Sequence, residues 1–357
     1  MSEVTPHGAQ SPPPQIIVQQ QQSAFGRYGK LLLVLLGLAV MTILGMSAAY
    51  QSYFDTTDGP REKYHSLSKT ATDKKIAIID VSGTIIESDG FVKEQLDRVR
   101  EDDDVVAIVL RIDSPGGTVT GSDYLYHHVQ ELVKDRKLPV VVSMGSICAS
   151  GGYYIAMATG NKENVIFAEP TTWTGSIGVV IPHYDLSGLL SDYDVKDDSI
   201  ASHKYKLMGS PTRELSEADR AEERKLLQEL VDISFARFKE IVTESRPKLQ
   251  NDPAALEKAT TGQIFTAQQA LELGLVDQIG FIEEAVERAA ELAGHKTDDV
   301  MCVKYEEPAS PFGSLLNMQA PSTQGFTLDL QAIFDLTVPR AYYVCTTLPS
   351  LLGVGAK

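Results

Sequence analysis

The sequence predicts an α/β protein built on a largely parallel sheet, preceded by one hydrophobic helix. Three observations carry that expectation. Short apolar, β-branched runs recur at 75–81 (KIAIIDV), 104–112 (DVVAIVLRI) and 138–143 (LPVVVS), each long enough for a strand buried on both faces. Helix-period stretches at 91–100 and 120–134 separate them, so the pattern reads as successive βαβ units. Ahead of all this, Leu31 to Tyr50 is 20 residues without a charge, about the length that crosses a ~30 Å hydrocarbon core as a helix.

Taken in order, residues 1–30 form a tail whose first 26 positions are rich in Pro and Gln (Pro12-Pro13-Pro14, Gln19 to Gln22), a composition that cannot bury a core and predicts disorder. Arg27 and Lys30 precede the apolar run; Asp55 and Asp58 follow it. The positive-inside rule then places the N-terminus in the cytoplasm and the remainder outside, with residues 31–50 as an uncleaved anchor in lipid. A cleaved signal peptide is the rival reading, because Ser47-Ala48-Ala49 resembles a processing site, but the apolar run exceeds a usual signal core. Residues 51–73 are polar and aperiodic and read as a linker. The expected globular domain covers 74–300. Beyond the three strands, Val165-Ile166-Phe167 and Ile177 to Ile181 read as shorter strands. Ser216, with Asp219 in the first turn, opens a long helix to about Ser245 with an apolar stripe of Leu226, Leu227, Leu230, Ile233, Phe238 and Ile241. Further helices follow Thr266 and Gly280. Residues 301–357 form a C-terminal extension of mixed composition, in which Tyr342 to Val344 is apolar without an assignable structure.

Composition narrows the function classes. A net charge of −16 argues against nucleic acid, whose phosphates need a basic face. Three cysteines (Cys148, Cys302, Cys345) form neither a disulfide framework nor a metal-ligand spacing, and the seven histidines show no close metal pair. Chemistry is concentrated instead at Ser143 to Ala156 (SMGSICASGGYYIA), where a buried strand passes through a corner of small residues into a helix. A serine presented there sits at the rigid edge of a sheet beside backbone N–H groups, which makes Ser150 the candidate nucleophile. The turn Asp113-Ser114-Pro115-Gly116-Gly117 follows another buried strand. Strand carboxyl ends share one sheet edge in a parallel sheet, so the two corners face one crevice. Gly117 and Gly151 are the candidate oxyanion donors, since glycine exposes its N–H without side-chain obstruction. A serine also needs a base. No histidine has suggestive context; a lysine can serve if its surroundings keep it neutral, and the pattern offers both Lys204 and Lys206 without choosing between them.

Four segments, DSPGG at 113–117, ASGGYYIA at 149–156, TGSIGV at 174–179 and YKLMGSPTRELS at 205–216, followed by GQIFTAQQALELGLVDQIG at 262–280, resemble the signal peptide peptidase A family of membrane-anchored serine peptidases (the S49 type) in its short, single-repeat form. The resemblance implies a ClpP/crotonase-like fold of repeated ββα units. By position it implies Ser150 as nucleophile, Lys206 as general base, Gly116-Gly117 as the oxyanion turn and Ser176 as an auxiliary hydroxyl near the lysine. It further implies an acyl-enzyme cycle with no metal or organic cofactor, peptide substrates such as released signal peptides, and ring or dome homo-oligomers in which neighbouring subunits supply the serine and lysine of one site. The competing readings are a crotonase-like hydratase, disfavoured by the anchor and the Ser150/Lys206 pair, and a membrane-tethered scaffold without activity.

Overall fold

Strand β5 (Val140–Ala149) is the spine of the sheet, and its sequence explains why. Nearly every side chain along it is buried, so it lies in the interior of the sheet with both faces covered. The computed structural model describes residues 24–54, 59–69, 74–86, 90–307 and 342–344. Two units are separated near Asp58. The first contains helix α1 (Ala24–Phe54). Within it Tyr28–Ser47 has a mean hydropathy of 2.2, long and apolar enough to cross a membrane.

The second unit holds the sheet. Strands β1 (Arg61–Leu67), β2 (Lys75–Ser82), β3 (Val105–Ser114), β4 (Gly116–Thr118) and β5 alternate with helices α2 (Phe91–Glu101) and α3 (Val119–Arg136). Helix α4 (Gly151–Ala156) follows β5, then β6 (Ile166–Ala168), β7 (Trp173–Gly175), α5 (Ser187–Asp192), α6 (Glu217–Ser245), α7 (Pro247–Gln250) and α8 (Pro253–Ala259). The last described elements are β8 (Ile264–Thr266), α9 (Ala267–Leu273), β9 (Gln278–Ile279), α10 (Ile282–Leu292), β10 (Met301–Glu306) and β11 (Tyr342–Val344). The main path of the sheet runs β1-β10-β2-β3-β5-β6-β9, parallel everywhere except the β1–β10 edge. This is the expected α/β class. Successive residues Ala107 to Leu110 are fully buried, and neighbours on a strand point to opposite faces, so helices cover both sides.

Strand β5 changes partner midway. Its first half pairs with β6, and Ile147–Ala149 pairs with β7. The switch occurs at Gly145-Ser146, where the Asp113 carboxylate accepts from the Ser146 hydroxyl (2.7 Å) and the Ile147 N–H (3.0 Å). A Cβ on Gly145 would lie 2.9 Å from the Asp113 carboxyl carbon, so the bend requires glycine there. The redirected half of β5 delivers Ser150 to the sheet edge. A second brace is Arg246, whose guanidinium meets Asp277 at 2.5 Å with both groups nearly inaccessible to solvent. Asp277 also accepts the Val165 and Ile166 N–H groups, tying the helical layer to β6.

Helix starts follow the expected chemistry. The Ser216 hydroxyl accepts the Asp219 N–H at the start of α6, and Thr266 with Gln269 forms a reciprocal capping box at α9.

Several expectations are corrected. The linker reading of 51–73 gives way to helix through Phe54 and to β1, a polar edge strand completed by β10. The Asp113–Gly117 turn is shorter than expected: β3 continues through Ser114 and β4 begins at Gly116. Ile177 to Ile181 is not a strand. Strand β7 lies just before it, and only Val180 makes a bridge, because the segment turns away after the strained Ser176. The α6 stripe is buried only in its second half, at Phe238, Ile241 and Val242; Leu230 and Ile233 are exposed. Of the predicted disordered tail, residues 24–30 are already helix α1 and residues 1–23 lie outside the described residues; the expected domain end at 300 is also too early, since β10 sits in the main sheet between β1 and β2, while most of the remaining extension lies outside the described residues.

Candidate active site

Ser150 stands between β5 and α4 with φ 54° and ψ −113°, a conformation L-residues rarely adopt. It is held there from both sides: its N–H donates to the Gly175 carbonyl (2.8 Å), and its carbonyl accepts the Tyr154 N–H (2.9 Å). Behind it Tyr153 and Tyr154 are fully buried, and the Tyr153 hydroxyl donates to the Leu275 carbonyl. The neighbouring layers thus support a backbone geometry that costs on the order of 1–3 kcal/mol in isolation. Ser150 is itself 1% exposed, and its Oγ is buried with no hydrogen-bond partner among the described residues. An unpartnered buried hydroxyl is uncommon in a native structure and points to a role other than packing.

The glycine-rich corner comes against this serine. A methyl group placed on Gly151 would lie 3.1 Å from the Gly117 nitrogen, 3.2 Å from the Gly116 Cα and 2.3 Å from the Ser122 Oγ. Gly116 has φ +99°, open to glycine alone at little cost, and its own Cβ would fall 2.6 Å from the Gly151 nitrogen. The two predicted oxyanion residues, Gly117 and Gly151, are therefore neighbours beside Ser150. Their corner is fixed by Ser114, whose hydroxyl donates to the Gly83 carbonyl (2.6 Å) and accepts the Gly116 N–H (3.1 Å). Sequence reasoning missed Ser122, one turn into α3; its hydroxyl donates to the Thr118 carbonyl (2.9 Å) while touching the Gly151 position. The spacing of Thr118 and Ser122, four residues apart on a helix start, was the available signal.

Ser176 is also close. It directly follows Gly175, the residue that holds the Ser150 N–H, is buried, and has φ 50°. Cys148 is wholly buried two residues before Ser150, and burial pushes its thiol well above the ordinary range, which fits packing rather than reaction.

Neither lysine hydrogen-bonds to the serine among the described contacts. Both lie on a single exposed turn, Lys204–Leu207, and the Ser150 oxygen is bonded to neither. They differ in surroundings. Lys204 Nζ is clasped by Glu222 (2.6 Å) and Asp219 (2.9 Å). Those hydrogen bonds raise its pKa and keep it protonated, so that no lone pair is available to take a proton. Lys206 Nζ has no such clasp among the described contacts, leaving it free to meet a partner. The described residues contain no group of His, Cys, Asp and Glu arranged to hold a metal ion.

Comparison with known proteins agrees with this geometry. The model of Peptidase family S49 matches residues 133–296, a span that includes Ser150, Gly151, Ser176 and Lys206. The chain is 42% identical over 245 residues to a Synechocystis protein whose name marks it as a protease, an overlap covering 67% of this chain and 82% of that one. It is 34% identical over 263 residues to an Enterococcus faecium protein named for signal peptide peptidase SppA, covering 70% and 72% of the two chains. Protease 4 of Salmonella typhi matches at 33% over 252 residues, 68% of this chain but 37% of that longer protein. With the serine corner in place and relatives of this identity and coverage, the chain belongs to peptidase family S49.

Proposed function

We propose that this peptidase is a membrane-anchored serine endopeptidase that cleaves signal peptides, or other peptides at the membrane, through a Ser150–Lys206 dyad. The observation that carries the reading is the buried, unpartnered Ser150 Oγ beside the amides of Gly117 and Gly151. In the cycle, neutral Lys206 accepts the Ser150 proton as Oγ attacks the peptide carbonyl. The amides of Gly117 and Gly151 stabilise the oxyanion. Lys206 then protonates the leaving amine, and water, giving its proton to Lys206, hydrolyses the ester. Ser176 orients the lysine. The steps need no metal or organic cofactor, and nucleic acid is no part of them. The name of the Enterococcus faecium relative supports the substrate class.

The dyad is completed between subunits of a homo-oligomeric ring or dome. Three features support this: Ser150 Oγ lacks a partner among the described residues, Lys206 lies on an exposed turn, and the segment leading to that turn exposes Tyr184, Leu189, Tyr193, Val195 and Ile200. Exposed apolar side chains in such number suit a contact face. Residues 31–50 hold the chain in the membrane, with the N-terminus cytoplasmic and the peptidase domain on the far side.

The test is hydrolysis of a signal-peptide-like fluorogenic substrate by the full chain in detergent. Ser150→Ala and Lys206→Ala each lose at least ~10³-fold in kcat, while Lys204→Ala stays near wild type. Mixing the two inactive variants during assembly restores part of the activity, because some interfaces pair an intact serine with an intact lysine. Wild-type rates in Ser150→Ala would sink the nucleophile assignment; no recovery in the mixture would confine the dyad to one chain.

A further inference from the structure

The exposed turn Lys204–Leu207 is fastened to the first turns of α6, and the fastenings treat its two lysines differently. Asp219 and Glu222 take Lys204, and Glu222 also accepts the Tyr205 hydroxyl. The next residue, Glu223, turns inward. It is 4% exposed, and with Arg246 it is one of two buried residues among those described that carry a full charge. Arg246 is explained by Asp277 and the brace onto β6. The hydrogen bonds of Glu223 go instead to the lysine turn. One carboxylate oxygen accepts the Gly209 N–H (3.2 Å). The other accepts from Arg213 Nη1 (3.0 Å), and that same nitrogen donates to the Leu207 carbonyl (3.1 Å).

We propose that Glu223 and Arg213 are positioning residues for the general base: they clamp the backbone just after Lys206 to α6 and so fix the direction in which the lysine side chain leaves the chain. The proposal rests on Lys206 as the base. The clamp holds Leu207 and Gly209. The turn's own bonds hold the other side, with the Lys206 N–H on the His203 carbonyl and the Met208 N–H on the Tyr205 carbonyl, each at 3.1 Å. A buried ion pair adds little stability that apolar side chains of the same volume would not supply. What it adds is direction, because a carboxylate and a guanidinium bond along fixed lines. Lysine has a long flexible stem, and its proton moves only between atoms within hydrogen-bond reach. Displacing a reacting group by about 1 Å costs on the order of 10²-fold in rate. On an exposed turn, packing cannot hold the root of such a side chain; the clamp does.

The test follows hydrolysis of a signal-peptide-like fluorogenic substrate by the full chain in detergent. Glu223→Gln keeps the size of the side chain and removes the charge that holds Arg213; kcat falls about 10–10²-fold while KM stays within about twofold. Arg213→Met loses as much, and Arg213→Lys, which keeps a donor for the carboxylate, regains at least about threefold over it. Equal rates in those two variants overturn the role of the charge. Arg213→Met alone strands a buried carboxylate, so the paired replacement Arg213→Met with Glu223→Leu controls for folding. It keeps the urea midpoint near wild type or above it, and kcat still falls about 10–10²-fold. Wild-type kcat in the paired variant overturns the proposal, and so does a particle smaller than the wild-type one on sizing, because the pair then serves assembly.

A cycle with Lys206→Ala separates positioning from a merely structural role. In that background the paired replacement changes the remaining rate by less than about twofold, since no lysine is left to aim. A further loss of about tenfold there overturns positioning. The two readings fail separately: Lys206→Ala at the wild-type rate removes the base, whereas an inactive Lys206→Ala beside a fully active paired variant removes only the clamp.

Discussion

Replacing Gly151 by alanine tests whether the amide corner is as tight as the structure makes it. The new methyl would sit 2.3 Å from Ser122 Oγ, 3.1 Å from the Gly117 nitrogen and 3.2 Å from the Gly116 Cα. Ser122 is wholly buried and donates to the Thr118 carbonyl, so its hydroxyl moves only by giving up that bond. Leaving one buried polar group unpaired costs about 1–3 kcal/mol, and overfilling a packed site costs about 1–3 kcal/mol. The two overlap, since the same motion relieves both, and a net loss of about 2–4 kcal/mol is expected. In the proposed mechanism catalysis suffers separately, because the methyl displaces the Gly117 amide; loss of one oxyanion donor lowers kcat by about 10²–10³. The double variant separates the effects. Ser122→Ala removes the oxygen at 2.3 Å but not the contacts beyond 3 Å, so the stability cost of Gly151→Ala shrinks by about 1–2 kcal/mol while activity stays low. Urea midpoints and kcat/KM on the four chains of the cycle measure both. If Gly151→Ala unfolds at the wild-type urea concentration and keeps its activity within twofold, or if Ser122→Ala gives no relief, the close approach described for this corner is wrong.

Asp277→Ala leaves Arg246 charged and buried and strips the acceptor from the Val165 and Ile166 N–H groups, so a loss of about 3–5 kcal/mol is expected by urea denaturation. A loss below about 1 kcal/mol would mean that the pair is hydrated. Acid stability should depend on Asp102. Burial alone would raise its carboxyl, but hydrogen bonds from Lys75 and the Asp104 N–H outweigh burial and hold it below the ordinary 3.8. Stability from a depressed carboxyl is present above its unfolded pKa and lost as pH falls through the folded one, so the urea midpoints of wild type and Asp102→Asn converge below about pH 4. Midpoints that keep their separation at pH 2.5 would exclude this linkage.

The alternation of strands and helices was legible because each buried strand carries its own apolar run, and the starts of α6 and α9 because their caps are local. Strand β1 was not: Arg-Glu-Lys-Tyr-His-Ser-Leu has no apolar face, and its partner β10 lies more than two hundred residues away. Ile177 to Ile181 misled for the converse reason, having strand-forming side chains but no neighbour to pair with except at Val180. Among site residues, Ser150, Gly117 and Gly151 could be read because adjacent strand ends bring them together in any parallel sheet. The residues alone left Lys204 and Lys206 open and only the resemblance singled out Lys206; the carboxylates of Asp219 and Glu222 that set the two apart reach Lys204 only once α6 has packed beside its turn. Tyr342 to Val344 is a short apolar stretch that becomes a strand only by pairing with β4 and Val180, both far away in the sequence.

Ser150 itself shows where stability and function oppose each other, and the opposition can be measured. Its φ of 54° with ψ −113° suits glycine, and its hydroxyl is buried without a partner among the described residues. Ser150→Ala removes the unpaired hydroxyl and keeps the strained Cβ. Ser150→Gly removes both, and against that gain stands the greater entropy of glycine in the unfolded chain, about 0.5–1 kcal/mol. Relief of the strain, about 1–3 kcal/mol, outweighs that entropy and adds to the about 1–3 kcal/mol recovered with the hydroxyl, so stability should rise in the order serine, alanine, glycine, with about 2–4 kcal/mol between the ends. The comparison belongs in a Lys206→Ala background, where no neighbouring lysine can satisfy the hydroxyl and only the local geometry counts. Urea midpoints of the three chains give the order directly. A glycine variant less stable than the alanine variant would mean that the backbone at residue 150 is not strained, and the serine would lose the physical argument that sets it apart from an ordinary buried residue.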